Sequence, residues 1–457
     1  MLGLAFTNHL TTVLLAPGLL AVAVSRFGFG RRFWRRIASL VPPFLIGLLP
    51  YAWLPLRSAM SPRFDWGGTR TLAGFVHQVT GADYRGWMFA DPASFATQAR
   101  YLLWRVPWDF VWLGLLVAAL GALWLARRAP ALAAMAALFT LCGAVFAAGY
   151  RILDLDAYLL TTILGLATFF AAGLLRLHER LGARVAIICT VVLVALAAAL
   201  HWSEADESGN HLVEHRVADV LGPLPPRAML ITTSWDYSLS ASLYYQEVEG
   251  FRRDVLIVNP DLLRLSWYLD GRDRRAPELV ARAAPEAARL RAILVRSERG
   301  LPIDGPRAEA AYRGFLNAFA ARAMPDHPVF AEGNFAQLDP AWKRVPYRVV
   351  TWLRPDTAYV PEGPWRYAYR PWSGRMDGYV AMTSWLYGES RVNRAVYETR
   401  HGRRDAAQRV MASVPTFDPH IRLERVGPLP LGSQAIVIRC ARYFAGIERS
   451  IRGAMSR

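Results

Sequence analysis

The chain has 457 residues, is 54% hydrophobic and carries a formal net charge of +17, with Lys343 its single lysine. Residues 1 to 201 are rich in Leu, Ala, Phe and Trp, whereas residues 202 to 457 have the polarity of a soluble domain, so composition points to one membrane domain and one globular domain. The basic excess does not read as a nucleic-acid surface, because many arginines lie in short loops between apolar runs rather than in a patch with interleaved aromatics.

Six apolar stretches are about long enough to cross a hydrocarbon core: residues 2–24, 37–56, 108–126, 130–150, 156–175 and 184–201. The first contains Thr7, Asn8, His9, Thr11 and Thr12. Polar and ionisable residues inside a span are costly and mark functional sites by default. A helix–helix hydrogen bond is the competing reading of Asn8 and His9, since membrane bundles use such bonds as modest glue. The second stretch holds Pro42, Pro43, Pro50 and Pro55. These predict kinks, either ordinary ones in a packed bundle or breaks that line a cavity.

The connecting loops set the orientation. "SRFGFGRRFWRR" (25–36), Arg127–Arg128 and "RLHERLGAR" (176–184) fall on one side if the six stretches alternate, and their arginines make that side cytoplasmic. The N-terminus, loop 57–107, the turn "RILDLD" (151–156) and everything after residue 201 then face outward. An outward N-terminus that runs straight into a span predicts further spans ahead of it. The first stretch has no basic n-region before it and no convincing cleavage site after it, so it does not read as a secretory signal.

Loop 57–107 is too long for a connector. "TLAGFVHQVTGADY" places Leu72, Phe75, Val76 and Val79 at helical spacing, and Trp87, Phe89, Trp104 and Trp108 suit a membrane interface. One or two short helices on the outer membrane face are expected. The loop also offers Arg57, Arg63, Asp65, His77, Gln78, Asp83, Tyr84 and Arg85. Guanidinium groups there suit a phosphate headgroup, although each residue taken singly also fits a solvated loop. "DWGG" (65–68) reads as a tight turn. Asp154 and Asp156 lie in the short outer turn. Two carboxylates there suit a divalent metal or an acid–base pair, and equally a solvated turn in which Asp156 caps the next helix.

Beyond residue 201 the pattern changes to short β-rich runs, "AMLITT" (228–233), "DVLIVNP" (254–260), "LRAILVRS" (290–297), "PVFAEG" (328–333) and "YRVVTWL" (347–353). A helix is predicted over 238–250, and residues 376–414 and 434–454 read as mainly helical. Strand, helix, strand in succession predicts an α/β domain. Cys142, Cys189 and Cys440 form no CxxC pair, which argues against a thiolate metal site or a disulfide framework. GxxxxGK[ST], HExxH and GxSxG are absent.

Several stretches occur together and in order: "GLAFTNHLTTVLLAPG" (3–18), "YAWLPLRS" (51–58), "DWGG" (65–68), "FVHQVTGADYRGWMF" (75–89) and "LPPRAMLITTSWDYSLSASLYYQEVEGFRRDVLIVNPDLL" (224–263). In these, residues 1 to about 270 resemble the protein O-mannosyltransferase-like membrane proteins. That family includes a eukaryotic enzyme acting on receptor ectodomains, and bacterial members mostly filed as a domain of unknown function. The family is similar to the C-type glycosyltransferases, which take a sugar from a polyprenyl- or dolichyl-phosphate carrier at the outer membrane face.

The resemblance implies that Asn8 and His9 line an outward cavity near the lipid-phosphate donor. Arg57, Asp65, His77, Tyr84 and Arg85 would bind substrate above it, the arginines holding phosphate. Asp154 and Asp156 would approach from the next outer turn, so that His9, Asp154 and Asp156 are the catalytic candidates. The family's acidic first outer loop has no counterpart in this sequence, which predicts a longer chain or a partner chain supplying the missing helices.

The expectation is therefore an α-helical polytopic membrane domain of about six transmembrane helices (1–201), followed by an extracytoplasmic α/β domain (202–457), in a bacterial plasma membrane. Its partners would be membrane lipid, a polyprenyl-phosphate-linked sugar donor and a protein or glycan acceptor. No cofactor is assigned beyond the divalent metal that paired aspartates would suit. A non-catalytic protein that binds lipid-linked glycan or scaffolds an envelope assembly is the alternative. A transporter has little support, without intramembrane carboxylates or repeat symmetry.

Overall fold

The computed structural model describes residues 1–417 apart from 63, 153, 154, 334, 335, 373 and 375–377. The helix expected over 434–454, Cys440, Arg63 and Asp154 lie outside the described residues. Two compact units emerge, one from Met1–Pro62 and Gly67–Asp206, the other from Arg63–Trp66 and Glu207 onward.

The first unit is helical: α1 (Leu2–Asn8), α2 (Ala16–Phe27), α3 (Arg31–Gly47), α4 (Trp53–Ala59), α5 (Leu72–Val79), α6 (Pro92–Asp109), α7 (Leu113–Arg128), α8 (Pro130–Gly149), α9 (Leu160–Leu181) and α10 (Ala183–Ala205). Among the described residues, four helices are long and apolar enough to cross a membrane, Leu10–Phe27, Pro130–Gly149, Leu155–Leu181 and Ala183–Ala205. The number is six if two bent pairs each make one span: Arg31–Gly47 with Leu49–Ala59, bent by 40°, and Pro92–Asp109 with Leu113–Arg128, bent by 94°.

The first expected span is not one helix. Its apolar run breaks at His9, whose backbone is extended (φ −155°, ψ 136°), and resumes as a 3₁₀ turn over Leu10–Leu15 before α2. Only the part from Leu10 qualifies as a span. α1 instead lies against the C-terminal end of α3, where Phe6 meets Phe44 edge-on at 5.6 Å. The prolines of the second stretch leave α3 intact through Pro42 and Pro43, and the chain bends only after Gly47.

The centre of the bundle is made by backbones in near contact. A Cβ on Gly121 of α7 would sit 1.9 Å from the Phe169 carbonyl oxygen of α9, and one on Gly173 would sit 2.0 Å from that of Val117. Small residues let membrane helices approach this closely, which replaces the hydrophobic drive that lipid removes.

The second unit opens with α11 (Leu212–Leu221) and β1 (Met229–Thr232). A π-helical turn over Trp235–Ser240 leads into α12 (Ala241–Glu247), followed by β2 (Leu256–Val258). Then come α13 (Ser266–Arg275), α14 (Pro277–Arg282), α15 (Ala284–Glu298), α16 (Gly305–Ala323), β3 (Val329–Glu332), β4 (Lys343–Tyr347) and β5 (Val350–Arg354). The described part ends with α17 (Gly378–Arg400), α18 (Arg404–Ala412) and α19 (Val414–Phe417).

The sheet order is β2-β1-β3-β5-β4. β1 pairs parallel with both β2 and β3, while β5 runs antiparallel to β3 and β4. Strand residues alternate between two apolar layers. Met229, Ile231, Val258, Val329 and Ala331 pack on Leu290, Leu294, Phe315 and Phe319, and Leu230, Ile257 and Phe330 pack on Val217, Val220, Leu221 and Tyr387. Helices on both faces of a partly parallel sheet make this an α/β layer architecture.

Two expectations fail here. Residues 290–297 are helical, not a strand, within α15. Ala287, Leu290 and Leu294 share its buried face, and Pro285 starts it, so the Ile-Leu-Val run was a turn of an amphipathic helix. Strand β4 went unforeseen. It is an edge strand, and Pro346 within it is tolerated only in such a place.

Candidate functional site

His9 organises the polar end of the first unit. Its Nδ1 accepts from the Thr11 N–H at 3.2 Å and lies 2.8 Å from Thr11 Oγ1, so the imidazole caps the 3₁₀ turn that follows the break. An acceptor Nδ1 places the proton on Nε2, assigned from the hydrogen bonds rather than seen. Nε2–H is then the ring's free donor. The ring stands edge-on to Tyr158 at 5.7 Å, and Tyr158 meets Tyr150 at 4.9 Å. Asn8 ends α1 and is exposed beside His9.

Loop 57–107 is pinned to the turn after α8. Met88 forms an antiparallel bridge with Tyr150, and the Arg151 N–H donates to the Trp87 carbonyl at 3.0 Å. Tyr84 packs on Trp87 at 5.9 Å. Burial and the adjacent Asp83 carboxylate push the Tyr84 phenol above its usual value, which keeps its O–H a donor. Arg85, next in sequence, is exposed and makes no hydrogen bond or ion pair among the described residues, and Arg57 stands likewise at the last turn of α4.

His77 lies 2.7 Å through Nε2 from Asp83 Oδ1, with both side chains partly exposed. A carboxylate on one ring nitrogen fixes the tautomer and leaves the other, Nδ1, as proton acceptor, the logic of a catalytic His–Asp pair. Gln78 serves the turn instead. Its side chain backs Gly67, whose φ of +77° makes the "DWGG" turn with Gly68 at +55°.

Of the two aspartates in the turn 151–156, Asp154 lies outside the described residues and Asp156 has partners of its own. Asp156 Oδ1 accepts from the Tyr101 hydroxyl at 2.6 Å, and Oδ2 lies 3.5 Å from Arg105 Nε. Arg105 also meets Asp109 at 3.1 Å and Glu204 at 3.2 Å, so three carboxylates surround one guanidinium. That cluster was invisible to sequence reading, although Arg105 and Asp109 at i, i+4 on an apolar helix gave a signal. Asp65 falls in the segment Arg63–Trp66, counted with the second unit. Among the described residues, no three His, Cys, Asp or Glu side chains come together as a metal site. Asp156 is tied to Tyr101 and Arg105, and Asp154, its companion in the paired-aspartate expectation, lies outside the described residues.

The first unit thus carries donors (His9 Nε2–H, the Tyr84 O–H, the guanidiniums of Arg57 and Arg85) and one acceptor with a supporting carboxylate (His77 with Asp83), with no contact among the described residues that joins His9, Arg57 and Arg85 to that pair. The donors suit a phosphate and the acceptor suits a hydroxyl proton.

Over 266 residues the chain is 27% identical to the mouse (Mus musculus) Protein O-mannosyl-transferase TMEM260, a stretch that makes up 53% of this chain and 38% of the mouse protein. No family model matches the chain. No solved structure matches it either.

Proposed function

We infer that the chain is a membrane glycosyltransferase-like protein. It would move a sugar, mannose on the precedent of the mouse relative's name, from a polyprenyl-phosphate carrier to a hydroxyl of a protein or glycan. The likeness to an O-mannosyl-transferase over about half the chain is the observation that carries this reading. The apolar helices and the donor-rich outer loop support it. The reaction belongs at the outer face of a bacterial plasma membrane, opposite the arginine-rich loops, with the second unit holding the acceptor.

In this reading Arg57 and Arg85 bind the carrier phosphate, and His9 Nε2–H and the Tyr84 hydroxyl donate to it. The acceptor oxygen attacks the anomeric carbon as the bond from that carbon to the phosphate oxygen breaks. The acceptor proton passes to His77 Nδ1, and the leaving lipid phosphate takes the negative charge, which the donors stabilise as it develops. The engagement of Asp156 with Tyr101 and Arg105 favours a second reading, a non-catalytic protein that binds lipid-linked glycan or scaffolds an envelope assembly.

Turnover separates the two. Protein in vesicles with radiolabelled polyprenyl-phosphate mannose and Ser/Thr-rich peptides should release labelled product. His9→Ala and His77→Ala should each slow it by about 100-fold or more, and Arg57→Ala should weaken carrier binding. Carrier binding without turnover by the wild type would leave the second reading. Undiminished transfer by His9→Ala and Arg57→Ala would remove the residue roles.

A further inference from the structure

The second unit has its own opening. β1 carries β2 on one side and β3 on the other, both parallel: the chain crosses from β1 to β2 on one flank, and from β2 back past β1 to β3 on the other. In open α/β sheets, ligands bind outside the strand carboxyl ends where the order reverses in this way. The loops at this edge are rigidly set. Glu332, ending β3, accepts from Thr232 Oγ1 at 2.7 Å and from Ser238 Oγ at 2.8 Å, and it pairs with the buried Arg216. Asn259, following β2, donates through Nδ2 to the Thr232 carbonyl at 3.0 Å and accepts the Leu262 N–H at 2.8 Å.

Three indoles crowd the same edge. Trp235 follows β1, Trp267 begins α13 after β2, and Trp66 lies between them, 5.1 Å from the first and 4.9 Å from the second. Their planes are inclined by 62° and 54°, so the rings form a cup rather than a flat stack. Trp235 remains 39% exposed. Beside it, Ser234 Oγ is buried without a hydrogen-bond partner. A buried hydroxyl left unpaired is costly, and a ligand hydroxyl would repay it. Asp236, next to Trp235 in the π-helical turn, and Asp261, between β2 and α13, are both exposed.

We propose that Trp66, Trp235 and Trp267, with Ser234, Asp236 and Asp261 at the rim, form a binding site for a neutral glycan. A pyranose ring offers an apolar C–H face to the negative face of an indole, and its hydroxyls donate to carboxylates. The two aspartates repel a phosphate-bearing ligand, which distinguishes the ligand of this site from the phosphate assigned to Arg57 and Arg85 of the first unit. Nothing here requires transfer. A chain that bound sugars without transferring them would keep this site and lose the enzymatic reading.

The test uses the full chain in detergent, labelled with 5-fluorotryptophan, the Trp235 resonance being assigned through Trp235→Phe. Mannotriose, maltotriose, cellotriose and mannose 6-phosphate are the probes. A neutral trisaccharide should shift the Trp235 resonance saturably. Trp235→Ala and Trp267→Ala should each weaken binding, followed by saturation-transfer NMR of the sugar, by about tenfold. Trp235→Phe should keep most of it, and Trp202→Ala all of it. Mannose 6-phosphate should bind more weakly than the neutral sugars.

No saturable shift with any trisaccharide overturns the site. So does unchanged binding in Trp235→Ala with Trp267→Ala, and tighter binding of the phosphorylated sugar overturns the ligand class. Should the alanine variants fail to fold, Asp261→Asn, which removes only a surface charge, carries the same test.

Discussion

Arg105 of the first unit and Arg216 of the second are both arginines withdrawn among carboxylates, and they differ in balance. Arg216 is fully buried and faces one carboxylate, Glu332, which two hydroxyls also satisfy. Arg105 keeps 13% of its side chain exposed and faces Asp109, Asp156 and Glu204. The same contrast extends outward. In the second unit the buried Arg391 and Arg394 have Glu362 and Glu398, which Arg348 and Arg403 also approach, while in the first unit Arg57 and Arg85 have no ion pair among the described residues. Matched buried pairs hold architecture in place, whereas unmatched charge is interaction energy still available to a ligand.

Removing one partner of the balanced pair gives the largest expected effect. Arg216→Ala leaves Glu332 charged and buried, and should cost about 3–5 kcal/mol of stability, read by denaturant unfolding. Arg216→Met with Glu332→Leu should recover most of that loss. A cost below about 1 kcal/mol for the single change would break the comparison.

The surplus cluster should respond asymmetrically. Arg105→Met sets three carboxylates against one another and should lower the melting temperature of the detergent-solubilised chain. Asp156→Asn, which relieves the surplus, should leave it nearly unchanged. Equal losses would mean that Asp156 is as indispensable to the fold as Arg105.

A smaller effect is set by pH. The Arg252 guanidinium holds the Asp254 carboxyl down to about 2. The folded value lies below the unfolded one, so this contribution is full above about pH 4 and is lost as pH falls through 2. Asp254 is a third exposed, so after screening it amounts to roughly 1 kcal/mol. Asp254→Asn should destabilise the second unit at neutral pH and converge on the wild type near pH 2.

The smallest effect has the opposite sign. Burial pushes the Glu389 carboxyl up, so its ionised form costs stability once pH exceeds the unfolded value. Glu389→Gln should gain about 0.5 kcal/mol at neutral pH and nothing below about pH 4.

Much of the architecture was legible because it is written in short-range patterns. Apolar length marked α8, α9 and α10, and β-rich runs marked β1, β2, β3 and β5. The break at His9 escaped because window hydropathy averages over one extended residue, while a side-chain cap on Thr11 decides the backbone there. Sequence offers Asp156 as a metal or acid–base group or as a helix cap, and misses its actual partners because Tyr101 and Arg105 are more than fifty positions away. The pairing of His77 with Asp83 was within reach, six positions apart across one turn, and needed only the α5 boundary to be recognised.

Trp66 carries a consequence for how this gene can be divided. The segment Arg63–Trp66 belongs to the second unit, while the sequence on either side of it belongs to the first. The second unit is therefore not a contiguous cassette. A fragment beginning at Glu207 lacks the indole that packs against both Trp235 and Trp267, and a truncation ending at Asp206 strands that indole without its partners. Recombination that exchanges the two halves at residue 206 would have to carry four residues from far upstream, so the halves are expected to be inherited together rather than shuffled.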